Sequence, residues 1–213
     1  MKTDDLVGLL AADTLPVPPG AAPRRLALAL IAGLPLAAAF MLLKFGLRED
    51  IGQAVSLPMF WVKLLFPAAL SAAAWTVLQR LARPGVRVGG SWLGIVLPVL
   101  SLWALAAVSL ASAPTELRAG LVMGHTWRTC SASIALLSLP LFVAAFMALV
   151  SLAPTRPAWA GACAGAMAGG AGAAVYALHC PELEAPFLAV WYVLGMAIPV
   201  VAGALIGPRL LRW

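Results

Sequence analysis

The sequence predicts an all-α polytopic membrane protein, a bundle of six transmembrane helices with both termini in the cytoplasm. Hydrophobic residues make up 63% of the chain and charged residues only 10%, whereas charged residues are about 25% of a soluble domain. The apolar residues are concentrated in long stretches, and a helix needs about 20 mostly apolar residues to cross a bilayer. The six stretches are Leu26–Leu43, Leu64–Leu78, Trp92–Leu110, Ile134–Leu152, Ala158–Leu178 and Phe187–Ile206.

Two of the predicted spans have distinctive sequences. The second is the shortest, because Lys63 and Pro67 interrupt its apolar run. The fifth contains Gly161, Gly165 and Gly169 at every fourth position, and small residues at this spacing let two helix backbones approach closely in lipid. We expect this glycine face to pack inside the bundle. A homodimer interface is the alternative, and the sequence leaves self-association open.

The basic residues predict the orientation of the bundle. An even number of spans places both termini on one side, and that side carries nine basic residues: Lys2, Arg24, Arg25, Arg80, Arg83, Arg87, Arg156, Arg209 and Arg212. The other side carries five: Lys44, Arg48, Lys63, Arg118 and Arg128. Because cytoplasmic loops carry an excess of Lys and Arg, we expect both termini to be cytoplasmic. We interpret the first span as an uncleaved signal anchor.

We divide the chain into a cytoplasmic tail, residues 1–23, and a transmembrane sensor domain, residues 24–213. Near the start of the tail, Asp4 and Asp5 fall in the first turn of a predicted helix, where the helix dipole favours negative charge. Apolar residues follow at positions i, i+3 and i+4, which predicts one apolar helix face. These residues are Leu6, Leu9 and Leu10.

The tail has the pattern of a partner-binding segment. Isolated helices shorter than about 12–15 residues are marginal in water, so this helix is expected to fold against another surface. Its acidic charge disfavours an anionic lipid surface and favours a protein groove with basic and apolar residues. Four prolines make the remainder a stiff spacer before the membrane: Pro16, Pro18, Pro19 and Pro23. A frayed terminus without a partner is the alternative.

Two cysteines flank the ends of predicted spans on the outer side. Cys130 lies just before the fourth span and Cys180 just after the fifth, with His125 and His179 close to them in sequence. These residue types can ligate zinc, but their spacing is unlike that of known zinc sites, so His125 and His179 are weak metal candidates. Two interpretations of the cysteines stay open: a thiol pair that oxidants or soft metal ions attack, and two interfacial residues without a joint role. We also expect an aromatic belt at this interface, formed by Trp127, Trp191 and Tyr192.

Composition and motifs argue against several functions. The sequence lacks the clustered basic stripe that is typical of a nucleic-acid-binding protein. It also contains neither a cofactor motif nor a nucleophile–base pair that would indicate an enzyme. A small transporter or channel built on proline-kinked helices is the alternative function. The spans argue against it, because we find no ionisable residue in their cores.

The assembled motifs resemble the NrsF family of bacterial inner-membrane anti-sigma factors. The resemblance extends over the whole chain and rests on short motifs in a fixed order around six spans. They are Met1-Lys2-Thr3-Asp4-Asp5-Leu6, Pro16-Val17-Pro18 before Arg24, Trp127 with Cys130, His179-Cys180-Pro181-Glu182, Trp191-Tyr192, Gly207-Pro208-Arg209 and Leu211-Arg212-Trp213.

The resemblance implies a partner and a stimulus. The tail would bind an extracytoplasmic-function sigma factor of the SigF type in the cytoplasm, and membrane lipid would surround the bundle. The pair Cys130 and Cys180 would receive the stress signal, with heavy metals and oxidants as the expected stimuli. Cys163 does not belong to the pattern and is assigned no role.

Overall fold

The computed structural model describes residues 3–12, 20–83 and 85–212, and all regular secondary structure within these ranges is helical. The elements in order are α1 (Thr3–Ala12), α2 (Ala21–Lys44), α3 (Ile51–Ala54), α4 (Pro58–Leu81), a 3-10 turn (Gly89–Trp92), α5 (Leu93–Ser112), α6 (Thr115–Met123), α7 (Trp127–Val150), α8 (Pro157–Tyr176), α9 (Ala185–Phe187), a π-helical turn (Leu188–Tyr192) and α10 (Val193–Leu210). The segments 89–112, 115–150 and 185–210 are each continuous enough to count as one span.

The prediction of an all-α protein with six spans is confirmed. Six helices in the described part of the chain are long and apolar enough to cross a membrane. The second span differs from its prediction, because α4 begins at Pro58 and therefore contains Lys63. The prediction of spans without ionisable residues is therefore wrong for α4. Its long aliphatic stem lets the charged group leave the apolar face and reach polar partners at the helix end.

α8 is the central helix of the bundle, and its glycines bring it into backbone contact with α10. A Cβ atom added to Gly161 would lie 2.0 Å from the carbonyl oxygen of Gly203, and one added to Gly165 would lie 2.0 Å from that of Pro199. No residue larger than glycine fits at such a distance without moving one helix. The predicted packing of the glycine face inside the bundle is confirmed, and the homodimer interface is wrong for this face.

Two further glycines of α8 contact the other neighbouring helices. A Cβ atom on Gly170 would lie 2.5 Å from the carbonyl oxygen of Pro67 in α4, and one on Gly172 would lie 2.8 Å from the backbone nitrogen of Ser138 in α7. The hydroxyl of Ser71 in α4 donates to the carbonyl of Met167 in α8 at 2.7 Å. α8 is therefore enclosed by α4, α7 and α10, in agreement with the high buried share of its span.

Alternating helix directions give the bundle two ends. We call residues 20–25, 81–83, 85–92, 150–157 and 208–212 the tail end, since α2 begins there after the tail. Residues 45–57, 113–126 and 177–186 form the far end. At 1.5 Å per residue, the 24 residues of α2 separate the two ends by about 36 Å.

Candidate functional site

The two outer cysteines, Cys130 and Cys180, lie side by side at the far end of the bundle. Cys130 occupies the first turn of α7, and Cys180 lies in the loop that follows α8. Both are free thiols with no exposed surface, and the two thiols interact with each other. The hydroxyl of Thr126 is 3.9 Å from the Cys180 sulfur. The structure therefore brings together the pair that the sequence only suggested.

A buried lysine ties the Cys180 loop to α4. Lys63 has no exposed surface, and its ammonium donates to the backbone carbonyls of Cys180 and Glu182, the latter at 2.7 Å. The same ammonium lies 5.6 Å from the centre of the Tyr192 ring. No carboxylate forms an ion pair with Lys63 among the residues that the structure describes. Its charge is thus stabilised by carbonyl dipoles, an aromatic face and the neighbouring thiols.

A second cation approaches the same loop from the segment after α2. Arg48 is largely buried, and its guanidinium donates to the carbonyl of Cys180 at 3.3 Å. Two further hydrogen bonds of 2.7 Å join it to the carboxylate of Asp50. These hydrogen bonds and the arginine charge lower the pKa of Asp50. The backbone N–H of Arg48 also donates to Leu178 at 3.2 Å, so this segment is fastened to the loop at two points.

Glu182 connects the loop to the helix that carries Cys130. Its buried carboxylate accepts hydrogen bonds from the backbone N–H groups of His125 at 2.6 Å and Thr126 at 3.2 Å. These groups precede α7, where a helix N-terminus favours negative charge. Gly124 allows the approach: its φ is +53°, and a Cβ atom there would lie 2.8 Å from the Glu182 carboxylate. Glu182 therefore fixes Cys180 relative to the first turn of α7.

The surroundings of Cys180 favour its thiolate form. A hydrogen bond from the Cys130 thiol and the positive charge of Lys63 lower the pKa of Cys180, against the opposing effect of burial. A lowered pKa is typical of reactive cysteines, because the thiolate is the form that attacks oxidants and binds soft metal ions. The structure thus holds two neighbouring thiols out of solvent, and their surroundings lower the pKa of Cys180.

The two histidines do not join the thiols in a metal site. Nδ1 of His179 is 3.0 Å from the carbonyl oxygen of Gly46, and its ring packs on Phe45 and Tyr176. His125 takes part through its backbone N–H. Within residues 3–12, 20–83 and 85–212, no group of three or more His, Cys, Asp or Glu side chains is arranged to hold a metal ion.

The π-helical turn at Leu188–Tyr192 completes the site. Tyr192 is fully buried and its hydroxyl lies beside Cys180 without a hydrogen bond of good geometry. The expected place of Tyr192 in an interfacial belt is therefore wrong. Trp191 packs on Trp127 at 5.3 Å between ring centres and donates to the carbonyl of Val122 at 2.9 Å. π-turns often mark functional sites, and this one aims Tyr192 into the thiol pair.

The predicted tail residues precede α2 in the sequence, and α2 begins at the tail end. Asp4, Asp5 and Leu6 lie in α1, where Leu6 is 44% exposed. The side chains of Leu9 and Leu10, and residues 13–19 of the predicted spacer, lie outside the described residues. Pro23 was predicted to belong to the spacer, but it lies in the first turn of α2, where a proline needs no backbone N–H. Because the tail joins α2 at the tail end, about 36 Å of helix separates that junction from the thiol pair.

Sequence reasoning found the two cysteines but missed Lys63 and Glu182. One signal for Lys63 was available: a single charge inside an apolar segment usually has a functional partner. Glu182 appears in the sequence analysis only as part of the motif His179-Cys180-Pro181-Glu182 and has no role there, because its partners are backbone groups that only the folded loop brings near.

Comparison with known proteins gives concordant results. Residues 10–213 match the model of a family described as NrsF, negative regulator of sigma F. The chain is 46% identical over 213 residues to the probable anti-sigma-F factor NrsF of Azospira oryzae, with all of both chains covered. It is 42% identical over 217 residues to the anti-sigma-F factor NrsF of Caulobacter vibrioides, again with all of both chains covered. No solved structure matches the chain.

Proposed function

This chain belongs to the NrsF family of negative regulators of sigma F, and on that premise we propose that it is a thiol-controlled membrane anchor for an extracytoplasmic-function sigma factor. The tail sequesters the sigma factor at the bacterial inner membrane, and modification of Cys130 and Cys180 releases it. The observation that carries this proposal is the proximity of these two buried thiols, which come from different elements at the far end. The excess of basic residues at the tail end supports a cytoplasmic tail and an outward-facing thiol pair.

Burial of the thiols supports a switch rather than a constantly reactive site. A reagent reaches the sulfur atoms only when the loop at 177–184 opens, because neither thiol is exposed in the closed state. An organic hydroperoxide would then oxidise the two thiols to one disulfide and would itself be reduced to an alcohol and water; hydrogen peroxide would give the same disulfide and two water molecules. A soft metal ion would instead displace the two thiol protons. The disulfide or the metal-bound pair then stabilises the helix arrangement for which it has the higher affinity, and it shifts the bundle towards that arrangement.

The hydrogen bonds of the loop supply a route from the thiols to the helices. Lys63 joins the loop to α4, and Glu182 joins it to the start of α7. A change in loop position therefore acts on two helices whose other termini lie at the tail end. Coupling between two such sites typically amounts to about 1–3 kcal/mol, or roughly 5- to 150-fold in affinity. This size is sufficient for partial release of a bound partner.

The tail supports sequestration by its pattern of charge and apolar residues. The spacing of Leu6, Leu9 and Leu10 in the sequence predicts one apolar helix face, and Asp4 and Asp5 lie in the first turn of α1. Such a helix suits an apolar groove bordered by basic residues on the sigma factor. Binding would occupy a surface that the sigma factor needs for RNA polymerase, which gives negative regulation without catalysis.

A reporter for sigma-F-dependent transcription tests the sensing step. Cells carrying Cys130→Ser with Cys180→Ser are exposed to Cd²⁺ or a peroxide. We expect repression to persist in these cells and induction to be lost. Cys163→Ser is the matched control, because it removes a buried thiol that lies apart from the pair, and induction should remain. Normal induction in the double variant would refute the sensing step.

A further inference from the structure

A cleft at the tail end has the charge and size of an anion-binding site. It has a volume of about 470 Å³ and lies between the end of α4, the segment before α5 and the start of α8. Small-molecule sites commonly have volumes of roughly 300–1,000 Å³. Four arginines and two tryptophans form much of its wall: Arg80, Arg83, Arg87, Arg156, Trp92 and Trp159.

No acidic residue lines the cleft in the part of the chain that the structure describes. All carboxylate side chains in residues 20–212 belong to the far end: Glu49, Asp50, Glu116, Glu182 and Glu184. The guanidinium of Arg80 donates to the carbonyl of Val88 at 2.9 Å, which holds this arginine in place. The side chains of Arg83, Arg87 and Arg156 make no hydrogen bond within the described residues. Their planar donor groups match phosphate oxygens.

The aromatic residues indicate the depth of the cleft in the membrane. Trp92 and Trp159 form an edge-to-face pair with ring centres 5.4 Å apart, which bridges the start of α5 and the start of α8. Tryptophan is enriched where the bilayer meets water. A phosphate held by the arginines would therefore lie at the level of lipid headgroups.

An apolar stripe continues from the cleft into the membrane-spanning part of α5. Leu93, Leu97 and Leu100 follow one another on one face and are 57%, 54% and 51% exposed. They offer a surface along which an acyl chain can lie. A soluble phosphate compound would use the arginines and leave this stripe unused, whereas a phospholipid uses both.

We propose that this cleft binds the headgroup of an anionic phospholipid, with an acyl chain along Leu93, Leu97 and Leu100. The function is separate from sigma-factor binding and does not depend on it. Basic pockets between transmembrane helices bind the headgroups of anionic lipids. Two other occupants, free phosphate and the acidic tail of the same chain, give different results in the test below.

Binding is measured by native mass spectrometry on the delipidated full chain in detergent. The added probes are phosphatidylglycerol, phosphatidylcholine and inorganic phosphate, each in a separate titration. We expect saturable binding of phosphatidylglycerol, at least tenfold weaker binding of phosphatidylcholine and no saturable binding of inorganic phosphate. Arg83→Gln with Arg87→Gln should weaken phosphatidylglycerol binding about tenfold.

The matched control is Arg118→Gln with Arg128→Gln, which removes the same charge at the far end. It should bind phosphatidylglycerol like the parent chain. Equal losses in both double variants would mean nonspecific charge attraction and would overturn the proposal. So would equal binding of phosphatidylcholine, or saturable binding of inorganic phosphate alone. If phosphatidylglycerol binds only after deletion of residues 1–19, the tail is the occupant and the proposal also fails.

Discussion

Lys63 donates a hydrogen bond from its buried ammonium to the backbone carbonyl of Cys180. This contact joins α4 to the loop after α8 and places a positive charge next to the thiol pair. A buried lysine without a carboxylate partner is costly. It persists here because carbonyl groups of Cys180 and Glu182 and the ring of Tyr192 surround it. Lys63 therefore both orients the loop and sets the electrostatic environment of Cys180.

Removal of the lysine charge should destabilise the bundle. Lys63→Met keeps a long apolar stem but leaves the carbonyls of Cys180 and Glu182 without this donor. An unsatisfied buried polar group costs about 1–3 kcal/mol, so we expect a loss of about 2 kcal/mol and a lower thermal midpoint in detergent. Lys44→Met, an exposed lysine at the far end, is the control and should have little effect. A Lys63→Met variant as stable as the parent would contradict the role given to these hydrogen bonds.

The lysine should also control the pH dependence of thiol reactivity. The hydrogen bond from Cys130 and the charge of Lys63 lower the pKa of Cys180, while Arg48, Tyr176 and Tyr192 are also near it. Its thiolate should therefore form at a lower pH than that of a free cysteine, whose pKa is about 8.5.

Lys63→Gln removes the positive charge, which raises the pKa of Cys180 and moves the reactivity profile to higher pH. Alkylation of Cys180 is followed by peptide mass spectrometry in a Cys163→Ser background. Burial lowers the alkylation rate at every pH, but the pKa of Cys180 sets the pH at the midpoint of the profile. The midpoint is therefore the quantity to compare between variants. Lys44→Gln should leave it unchanged, and an unshifted midpoint in Lys63→Gln would show that the lysine does not act on the thiol.

The contact between α8 and α10 should not tolerate even a methyl group. A Cβ atom at Gly165 would overlap the carbonyl of Pro199 at 2.0 Å. We expect Gly165→Ala to lower the free energy of unfolding by about 1–3 kcal/mol, because overpacking forces the helices apart. The yield of monodisperse protein and its thermal midpoint measure this loss. Gly52→Ala is the control, since a Cβ atom at that position meets nothing within 4 Å. Equal behaviour of the two variants would be incompatible with the close contact.

The apolar face of the tail should determine repression. Leu6→Asp with Leu10→Asp places two charges on the predicted binding face, and desolvating them would weaken sigma-factor binding at least tenfold. Co-purification of the sigma factor with the full chain should fall, and target genes should be expressed without a stimulus. Ala11→Asp, away from the three leucines on the helical wheel, is the control and should still repress. Normal repression by the double variant would remove the tail from the proposed mechanism.

The sequence alone determined the fold class, because six apolar stretches of membrane length leave few other arrangements for the backbone. It also determined the glycine face of α8, since small residues at every fourth position line up on one side of a helix and let another helix backbone approach closely. The start of α4 was misjudged because a lysine counts against a span when only hydropathy is considered.

Only the tertiary structure decided the composition of the thiol site. Lys63, Glu182 and Cys180 come together through hydrogen bonds to backbone carbonyls and amides, and such groups are the same in every residue. No pattern of side chains therefore marks them in advance. The same holds for the choice of α10 as the partner of Gly161 and Gly165, because glycine spacing predicts a close contact but not the helix that makes it.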